Sequence, residues 1–327
     1  MSISKTLVLV CALITLLLQE TSGALHAETR KLINRVNENG PYLGLVVPNQ
    51  YEMDPLLESS SFVSKNLTID FSGRRFRFGA IDKKEVIVVM TGLSVVAGNA
   101  NPSFNIGDVV IPQNWSHSAL WNWQRYGQGP EDELALEADG DYTRDIGYLH
   151  FAHYAANVSD CSSHDNLLNN VWYQPEEVFP VDGTPEERQH AFWVPVDSHY
   201  YEISQKLEGL ELESCLNSTT CLSTEPKVAK TQRGTSAGIY LDNAAYRGFI
   251  YGKFNVTPVD MESAAVALIC YQQRVPFIII RALSDLAGGG SAESNEASTF
   301  LSLAASNSVT AVVEFIKLLS DNYIMDA

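Results

Sequence analysis

The stretch that decides the fold, at 256–290, reads VTPVDMESAAVALICYQQRVPFIIIRALSDLAGGG. Its apolar run from Ala264 to Cys270 contains several small residues, which predicts a closely packed helix. The β-branched run from Pro276 to Ile280 has the pattern of a short strand that is buried on both faces. We therefore expect Glu262 to open a buried helix and Asp285 to lie just beyond the end of a central strand.

These two carboxyl groups suggest a ligand site. In open α/β sheets, ligands bind at the carboxyl ends of the strands, where one acid can grip hydroxyls and another can transfer a proton. Each acid also has a simpler explanation. Glu262 can complement the dipole of its helix, and Ser284 with Asp285 can form a turn or an N-cap. Spacing by itself leaves both explanations open.

The combination of MESAAVALIC at 261–270 with VPFIIIRALSDLAGG at 275–289 resembles the nucleoside phosphorylase family. That family includes purine and uridine phosphorylases and methylthioadenosine nucleosidases. The resemblance implies an α/β fold, a single domain with a mixed central sheet flanked by helices. It also implies that Met261 and Glu262 bind ribose, and that Asp285 faces the base and acts as the catalytic acid.

Other segments extend the resemblance to the substrate site. Thr91–Gly92 resembles a family turn near the ribose and the phosphate, and Ala97–Gly98 resembles the end of the next strand. In KVAKTQRGTSAGIY, at 227–240, Tyr240 takes the place of the aromatic residue that stacks on the base. Leu241 takes the place of the backbone contact to the base. Tyr240 is equally well explained as an aromatic residue at the end of a strand.

The connection between these two turns is too short for the family pattern, which places a helix and a strand there. A strand–helix–strand unit needs roughly 30 residues, and a parallel crossover needs about a dozen. One strand and one crossover helix are therefore expected to be missing near Val96, as in a deletion isoform, a splice variant or a faulty gene model. The strands beside the gap would be left unpaired, and an exposed edge of this kind promotes aggregation.

An acid that follows the first strand helps to activate water in nucleosidases of this family. Here the expected first strand, Leu43 to Val47, is followed by NQYEMDPLL at 49–57. Aligning the two leucines puts Met53 where the acid belongs. We therefore expect Glu52 to be a solvated turn residue, which leaves the general base in doubt.

The N-terminus has the features of a secretory signal peptide, expected over residues 1–24, with the phosphorylase-like domain over 41–319. Lys5 precedes an apolar run, Thr6 to Leu18, that is too short to span a bilayer. We found no other stretch apolar enough to cross a membrane, so no membrane partner is expected. The expected location is the secretory pathway, extracellular or vacuolar. Five sequons agree with it: Asn66, Asn114, Asn157, Asn217 and Asn255.

The cysteines fit the same oxidising compartment. Cys215 and Cys221 flank a polar loop that carries a sequon, and we expect them to form a disulfide. There is no CxxC pair and no His/Cys cluster, so neither a zinc site nor a cofactor is expected. The formal net charge of −17 would repel a nucleic acid.

Three hypotheses follow. The first is a nucleoside phosphorylase or nucleosidase that takes a purine nucleoside or base, with phosphate or water as the acceptor. The second is a purine-binding protein without turnover. The third is a storage glycoprotein, because the Trp-rich segment at 114–126 resembles the plant bark and vegetative storage proteins. The family resemblance also implies a homo-oligomer.

Overall fold

A computed structural model describes residues 27–92, 97–118, 121–123, 148–150, 170–173, 175–184, 187–288 and 296–322. The helices in this part of the chain are α1 (Ala27–Asn37), α2 (Gln50–Glu58), α3 (Ser198–Ile203), α4 (Ala244–Phe254), α5 (Ser263–Gln272) and α6 (Glu296–Asn322). A short 3₁₀ helix, Ser204–Leu207, follows α3. The expected signal peptide lies outside the described residues.

The larger strands belong to two sheets: β1 (Leu43–Val47), β2 (Phe62–Phe71), β3 (Arg74–Ile81), β4 (Lys84–Met90), β5 (Ala97–Asn99), β6 (Val109–His117), β12 (Val194–Pro195), β15 (Val228–Ser236), β16 (Val256–Asp260) and β17 (Arg281–Leu286). Short ladders are formed by β7 (Trp121–Trp123), β8 (Tyr148–His150), β9 (Asn170–Tyr173), β10 (Glu176–Val178), β11 (Gln189–Ala191), β13 (Cys215–Asn217) and β14 (Thr220–Cys221).

Both larger sheets are mixed, which confirms the expected α/β class. The four-stranded sheet has the order β1-β4-β3-β2, and only its β1–β4 pair is parallel. The six-stranded sheet has the order β12-β6-β15-β16-β5-β17, and β17 also pairs with β6. This extra pairing closes five of the strands into a ring. Within the described ranges, no ladder connects the two sheets.

Helix α6 packs against both sheets. Ala304 and Phe315 lie in a core cluster with β6 and β17, whereas Val313 and Ile316 lie in a cluster with β4 and α2. Its segment Thr299–Ser320 is long and apolar enough to cross a membrane, so our expectation that no stretch after the N-terminal run is apolar enough was wrong. However, 56% of its most apolar window is buried inside the protein. The core role explains this composition, because a helix between two sheets is apolar on most of its faces.

The strand predicted at Pro276–Ile280 is wrong, since residues 275–280 form neither helix nor strand and β17 begins at Arg281. The reason lies in the pairing. Strand β5 runs parallel to β17 with Ala97 opposite Leu283. Continuing this register backwards places 90–92 opposite 276–278, but Met90 is the last residue of β4 in the other sheet, and 91–92 follow it outside any strand. Residues 276–278 therefore have no partner strand among the described residues.

The connection from β4 to β5 is confined to residues 91–96, of which 91 and 92 are described and are not helical. This agrees with the predicted absence of a crossover helix.

Strand β1 lies at the outer edge of its sheet. Its residue Val46 is 47% exposed, and a Cβ added at Gly44 would meet nothing within 4 Å.

The two edges of the four-stranded sheet differ in protection. Strand β2 carries Lys65 and Asp70 and has a register shift between Ser64 and Leu67, and both features discourage pairing with other chains. Strand β1, LGLVV, has no charge, proline or register shift. Its sequence is that of an interior strand left at an edge.

The cysteines and sequons fall mainly in exposed segments. Cys215 and Cys221 form a disulfide that closes the β13–β14 hairpin. The sequon residues Asn66, Asn217 and Asn255 are exposed, Asn114 is half-buried in β6, and Asn157 lies outside the described residues. Their glycosylation remains a prediction.

We predict that Val46→Lys lowers heat-induced aggregation, because a charge on an open edge opposes strand pairing between chains. The measurement is light scattering during heating, at matched protein concentration. Val63→Lys is the matched control, since Val63 is also exposed (64%) but lies on the protected strand β2. Equal aggregation of the two variants and the parent chain would contradict the prediction.

Candidate active site

The side chain of Arg281, 6% exposed, is surrounded by three carboxylates. Its Nε lies 3.1 Å from Asp260 Oδ2. Its Nη1 lies 3.5 Å from Glu52 Oε1, and its Nη2 lies 3.7 Å from Glu262 Oε2. A buried guanidinium requires such partners because desolvation of an isolated charge is very unfavourable. One positive charge therefore faces three acids.

Asp260 fixes the start of α5. It is the last residue of β16, and its Oδ1 accepts hydrogen bonds from the Glu262 amide (3.3 Å), the Ser263 amide (3.2 Å) and Ser236 Oγ (2.5 Å). Its Oδ2 accepts a bond from Ser263 Oγ. The carboxylate thereby satisfies amide groups that a helix start leaves unpaired. It also holds Glu262 at the N-cap of α5, as the sequence predicted.

Glu52 is buried rather than solvated, so our expectation for this residue was wrong. Only 5% of it is exposed. The side chain of Asn49 caps α2 by accepting a bond from the Glu52 amide (3.2 Å), and its Nδ2 donates to Glu52 Oε2 (3.0 Å). This turns Glu52 towards Arg281, while Met53 is fully buried in the core. Burial raises the pKa of Glu52, and the charge of Arg281 opposes that rise.

No described side chain donates a hydrogen bond to the two buried carboxylate oxygens of Glu262, and only the backbone of Met261 lies close enough to lower its pKa in this way. Burial, followed by the nearby charge of Asp260, raises its pKa to about 7, against the lowering effect of Arg281. Near neutral pH the group is therefore divided between its acid and its anion. The preceding Met261 is half-buried in the turn between β16 and α5.

Asp285 lies within β17, next to its last residue, whereas we expected it beyond the strand. It is 5% exposed. Its Oδ2 accepts a bond from the Tyr240 hydroxyl (2.8 Å), and its Oδ1 accepts one from Ser284 Oγ (3.2 Å). Burial raises the pKa of Asp285, and these two hydrogen bonds lower it in part. Burial also raises the pKa of Tyr240, followed by the effect of Asp285.

Strand β5 brings two more of the predicted residues to Asp285. Ala97 pairs with Leu283, and Gly98 lies opposite Asp285 on one side and Val259 on the other. A Cβ at Gly98 would lie 3.0 Å from the Cβ of Ala287, so only glycine fits without a shift.

Leu241 and Thr91 were also predicted to bind the substrate. Leu241 is 7% exposed and packs in a core cluster with Phe254 and Val259. Thr91 follows β4, and its Oγ1 is buried without a hydrogen-bond partner among the described residues.

The predicted residues thus form two groups. Glu262 lies at Arg281, whereas Tyr240 and Gly98 lie at Asp285. Arg281 and Asp285 are four residues apart on one strand, which separates their Cα atoms by on the order of 13 Å. No hydrogen bond or ion pair between described residues joins the groups directly.

Our reading of the sequence missed Arg281 and Asp260 as site residues. The signal was present, because an arginine in the apolar run FIIIRAL can be buried only with acidic partners. In the described part of the chain, no group of three or more His, Cys, Asp or Glu residues is arranged to hold a metal ion.

The family model of the phosphorylase superfamily matches residues 94–317. The chain belongs to the phosphorylase superfamily. This confirms the predicted family, and the chain is a nucleoside phosphorylase- or nucleosidase-like protein. The match begins directly before β5 and includes β17, so it contains both Glu262 and Asp285.

Among the relatives of this phosphorylase-superfamily chain is bark storage protein A of Populus deltoides, 26% identical over 84% of this chain and 88% of the relative. A 5'-methylthioadenosine/S-adenosylhomocysteine nucleosidase of Bacillus cytotoxicus is 51% identical, over only 21% of this chain and 30% of the relative. The fold is similar to that of a Helicobacter pylori nucleosidase mutant with 5'-methylthioadenosine in its active site. That likeness has a TM-score of 0.53 and 16% identity, and it covers 85% of this chain and 99% of the other.

We predict that Glu262→Gln flattens the pH dependence of stability. The pKa of Glu262 is about 7 in the folded chain and 4.5 in the absence of burial. Folding therefore favours its protonated form, and this stability is present below pH 4.5 and lost as the pH rises through 7. The loss is about 1.4 kcal/mol per unit of pKa difference.

The test measures the free energy of unfolding by urea at several pH values between 4.5 and 8. The variant should lose less stability than the parent over this range, because glutamine does not titrate. Glu58→Gln, at an exposed position of α2, should keep the parent slope. An unchanged slope in Glu262→Gln would contradict the prediction.

We also predict that Arg281→Met destabilises the fold by about 3–5 kcal/mol, because it leaves buried carboxylates without a counter-charge. The control is Arg75→Met, which removes the exposed ion pair with Asp70 and should cost little stability, because solvent screens such a pair. Urea denaturation at pH 7 measures both. Similar losses of unfolding free energy in the two variants would contradict the prediction that the buried cluster contributes more to stability than the exposed pair.

Proposed function

We propose that this chain binds a purine nucleoside along β17 and cleaves its N-glycosidic bond. The observation that carries the proposal is Glu262, whose two buried oxygens receive no side-chain hydrogen bond among the described residues beyond the 3.7 Å ion pair with Arg281. Buried acceptors of this kind are normally hydrogen-bonded. The hydroxyl groups of a ribose would supply the missing donors, and ribose binding is the role that the family resemblance gives to Glu262.

The end of the proposed site at Asp285 supplies the catalytic acid. Cleavage leaves a basic purine nitrogen and an oxocarbenium-like ribose, so proton transfer to the base assists it. Asp285 is buried and has a raised pKa, which favours the protonated form that such an acid requires. Its distance from the Arg281 cluster, on the order of 13 Å between Cα atoms, suits a nucleoside held lengthwise.

Glu52 is our candidate for the general base. Its raised pKa makes it a better proton acceptor than a solvated carboxylate, and it lies beside Arg281 close to the proposed sugar end. It would take a proton from the water that attacks the anomeric carbon. Phosphate as the acceptor, and a homo-oligomeric state, remain predictions from the family resemblance.

The alternative is a storage glycoprotein of the secretory pathway that has kept the fold. The similarity to bark storage protein A over 84% of the chain favours it, as do the predicted signal peptide and the exposed sequons. An extracellular or vacuolar location belongs to this proposal and is compatible with the enzyme as well.

We predict that the purified chain releases adenine from adenosine or 5'-methylthioadenosine and that Asp285→Asn lowers the rate by at least about 100-fold. Asparagine keeps the size of the side chain but cannot donate the proton. Chromatographic detection of the free base, with and without phosphate, measures the rate and identifies the acceptor.

The matched control is Asp242→Asn, at an exposed acid near Asp285. It should keep most of the activity. Calorimetric titration with adenine on the same samples separates binding from turnover. A cooperatively folded, glycosylated sample that neither binds nor cleaves would contradict the proposal and support storage.

A further inference from the structure

Both oxygens of the Asp285 carboxylate are already engaged. Ser284, a buried neighbour on the same strand, donates to Oδ1, and Tyr240 donates to Oδ2 from the loop between β15 and α4. The two donors differ in exposure, since Ser284 is 1% exposed and Tyr240 is 56% exposed. Of the two donors, Tyr240 is the accessible one, so a ligand nitrogen that approaches Asp285 from solvent meets the Tyr240 hydroxyl at Oδ2.

We propose that the Tyr240 hydroxyl is an internal competitor of the purine, which occupies Asp285 in the empty site and must swing away before the acid can face the base. This inference rests on the proposed function for the identity of the ligand. It assigns the hydroxyl a regulatory role that is separate from stacking by the ring. While the phenol donates to Asp285, it stabilises the carboxylate anion, which is the wrong form for a proton donor.

The surrounding loop allows the side chain to move while the backbone stays in place. The Ala237 amide donates to the Asp260 carbonyl (2.9 Å), and Asn243 caps α4 by accepting from the Tyr246 amide (2.8 Å). Leu241 is buried in the core. With the loop held on both sides, release of Asp285 requires rotation of the half-exposed Tyr240 side chain alone.

Few charged groups face this contact. Burial is the main cause of the raised pKa values of Asp285 and Tyr240, and the charge of Asp242, on the same loop, raises both further. Arg247, on α4, donates to the carbonyl groups of Ala287 and Gly288 just after β17 (3.0 and 3.1 Å). Neither side chain contributes a hydrogen bond to the Asp285 carboxylate. The Tyr240 hydroxyl is therefore the external group through which a ligand would act on Asp285.

The test is Tyr240→Phe, which keeps the ring and removes the hydroxyl. Tyr201→Phe is the matched control, because its hydroxyl donates to the Thr231 carbonyl (2.9 Å) away from Asp285. Carbon-13 NMR of aspartate-labelled protein follows the titration of the Asp285 carboxyl, with Asp285→Asn used to assign the signal. Calorimetry with adenine measures ligand binding on the same samples.

We expect the Asp285 carboxyl to titrate at a higher pH in Tyr240→Phe than in the parent chain or Tyr201→Phe. Adenine should bind Tyr240→Phe about five- to tenfold more tightly, because a hydrogen bond of this size no longer has to be broken. Weaker binding, or equal binding, to Tyr240→Phe would overturn the proposal, since the hydroxyl would then help the ligand or have no influence on it.

The NMR measurement needs neither ligand nor turnover. If adenine binds none of the variants, the proposed function fails, and competition with a purine fails with it. A shift in the Asp285 titration would still support the effect of Tyr240 on the acid. An Asp285 carboxyl that titrates identically in Tyr240→Phe and in the parent chain would overturn that effect, whether or not the protein is an enzyme.

Discussion

The ion cluster around Arg281 is the interaction on which the rest of the structure depends. Arg281 is the first residue of β17 in the six-stranded sheet. Its guanidinium contacts Glu52 on α2, the helix that packs on the four-stranded sheet. It also contacts Asp260 at the end of β16 and Glu262 at the start of α5. The described ladders do not join the two sheets, so this cluster and the apolar face of α6 hold them together.

The same cluster sets the chemistry of the site. Burial raises the pKa of Glu262, and the negative charge of Asp260 raises it further, because one buried cation cannot neutralise three buried carboxylates. Asp260 receives several hydrogen bonds from the turn and the adjacent strand, whereas Glu262 receives none from the described side chains. The fold thus uses one acid to build the helix start and leaves its neighbour with an ion pair to Arg281 but no side-chain hydrogen bond.

Local patterns in the sequence predicted what depends on local interactions. The helix start at Glu262 and the disulfide loop at Cys215 were visible because neighbouring residues determine them. The burial of Glu52 was not visible, since a guanidinium more than two hundred residues away draws it inward. The failed strand at 276–280 likewise depends on residues that are distant in the sequence. Its β-branched residues have the correct propensity, but strand formation also needs a partner strand, and none pairs with 276–280 in the described part of the chain.

The shortened connection before β5 therefore affects the sheet more than the site. The three residues that remain, Ala97–Asn99, still pair with β16 on one side and β17 on the other, and this closes the ring of strands beside Asp285. The interior-type strand β1 is left at an edge instead. Arg281 and Asp285, which mark the two ends of the proposed site, lie on one continuous strand, β17. Arg281 also contacts Glu52 from the first position of this strand. A short connection before β5 is therefore compatible with an intact arrangement of the acids.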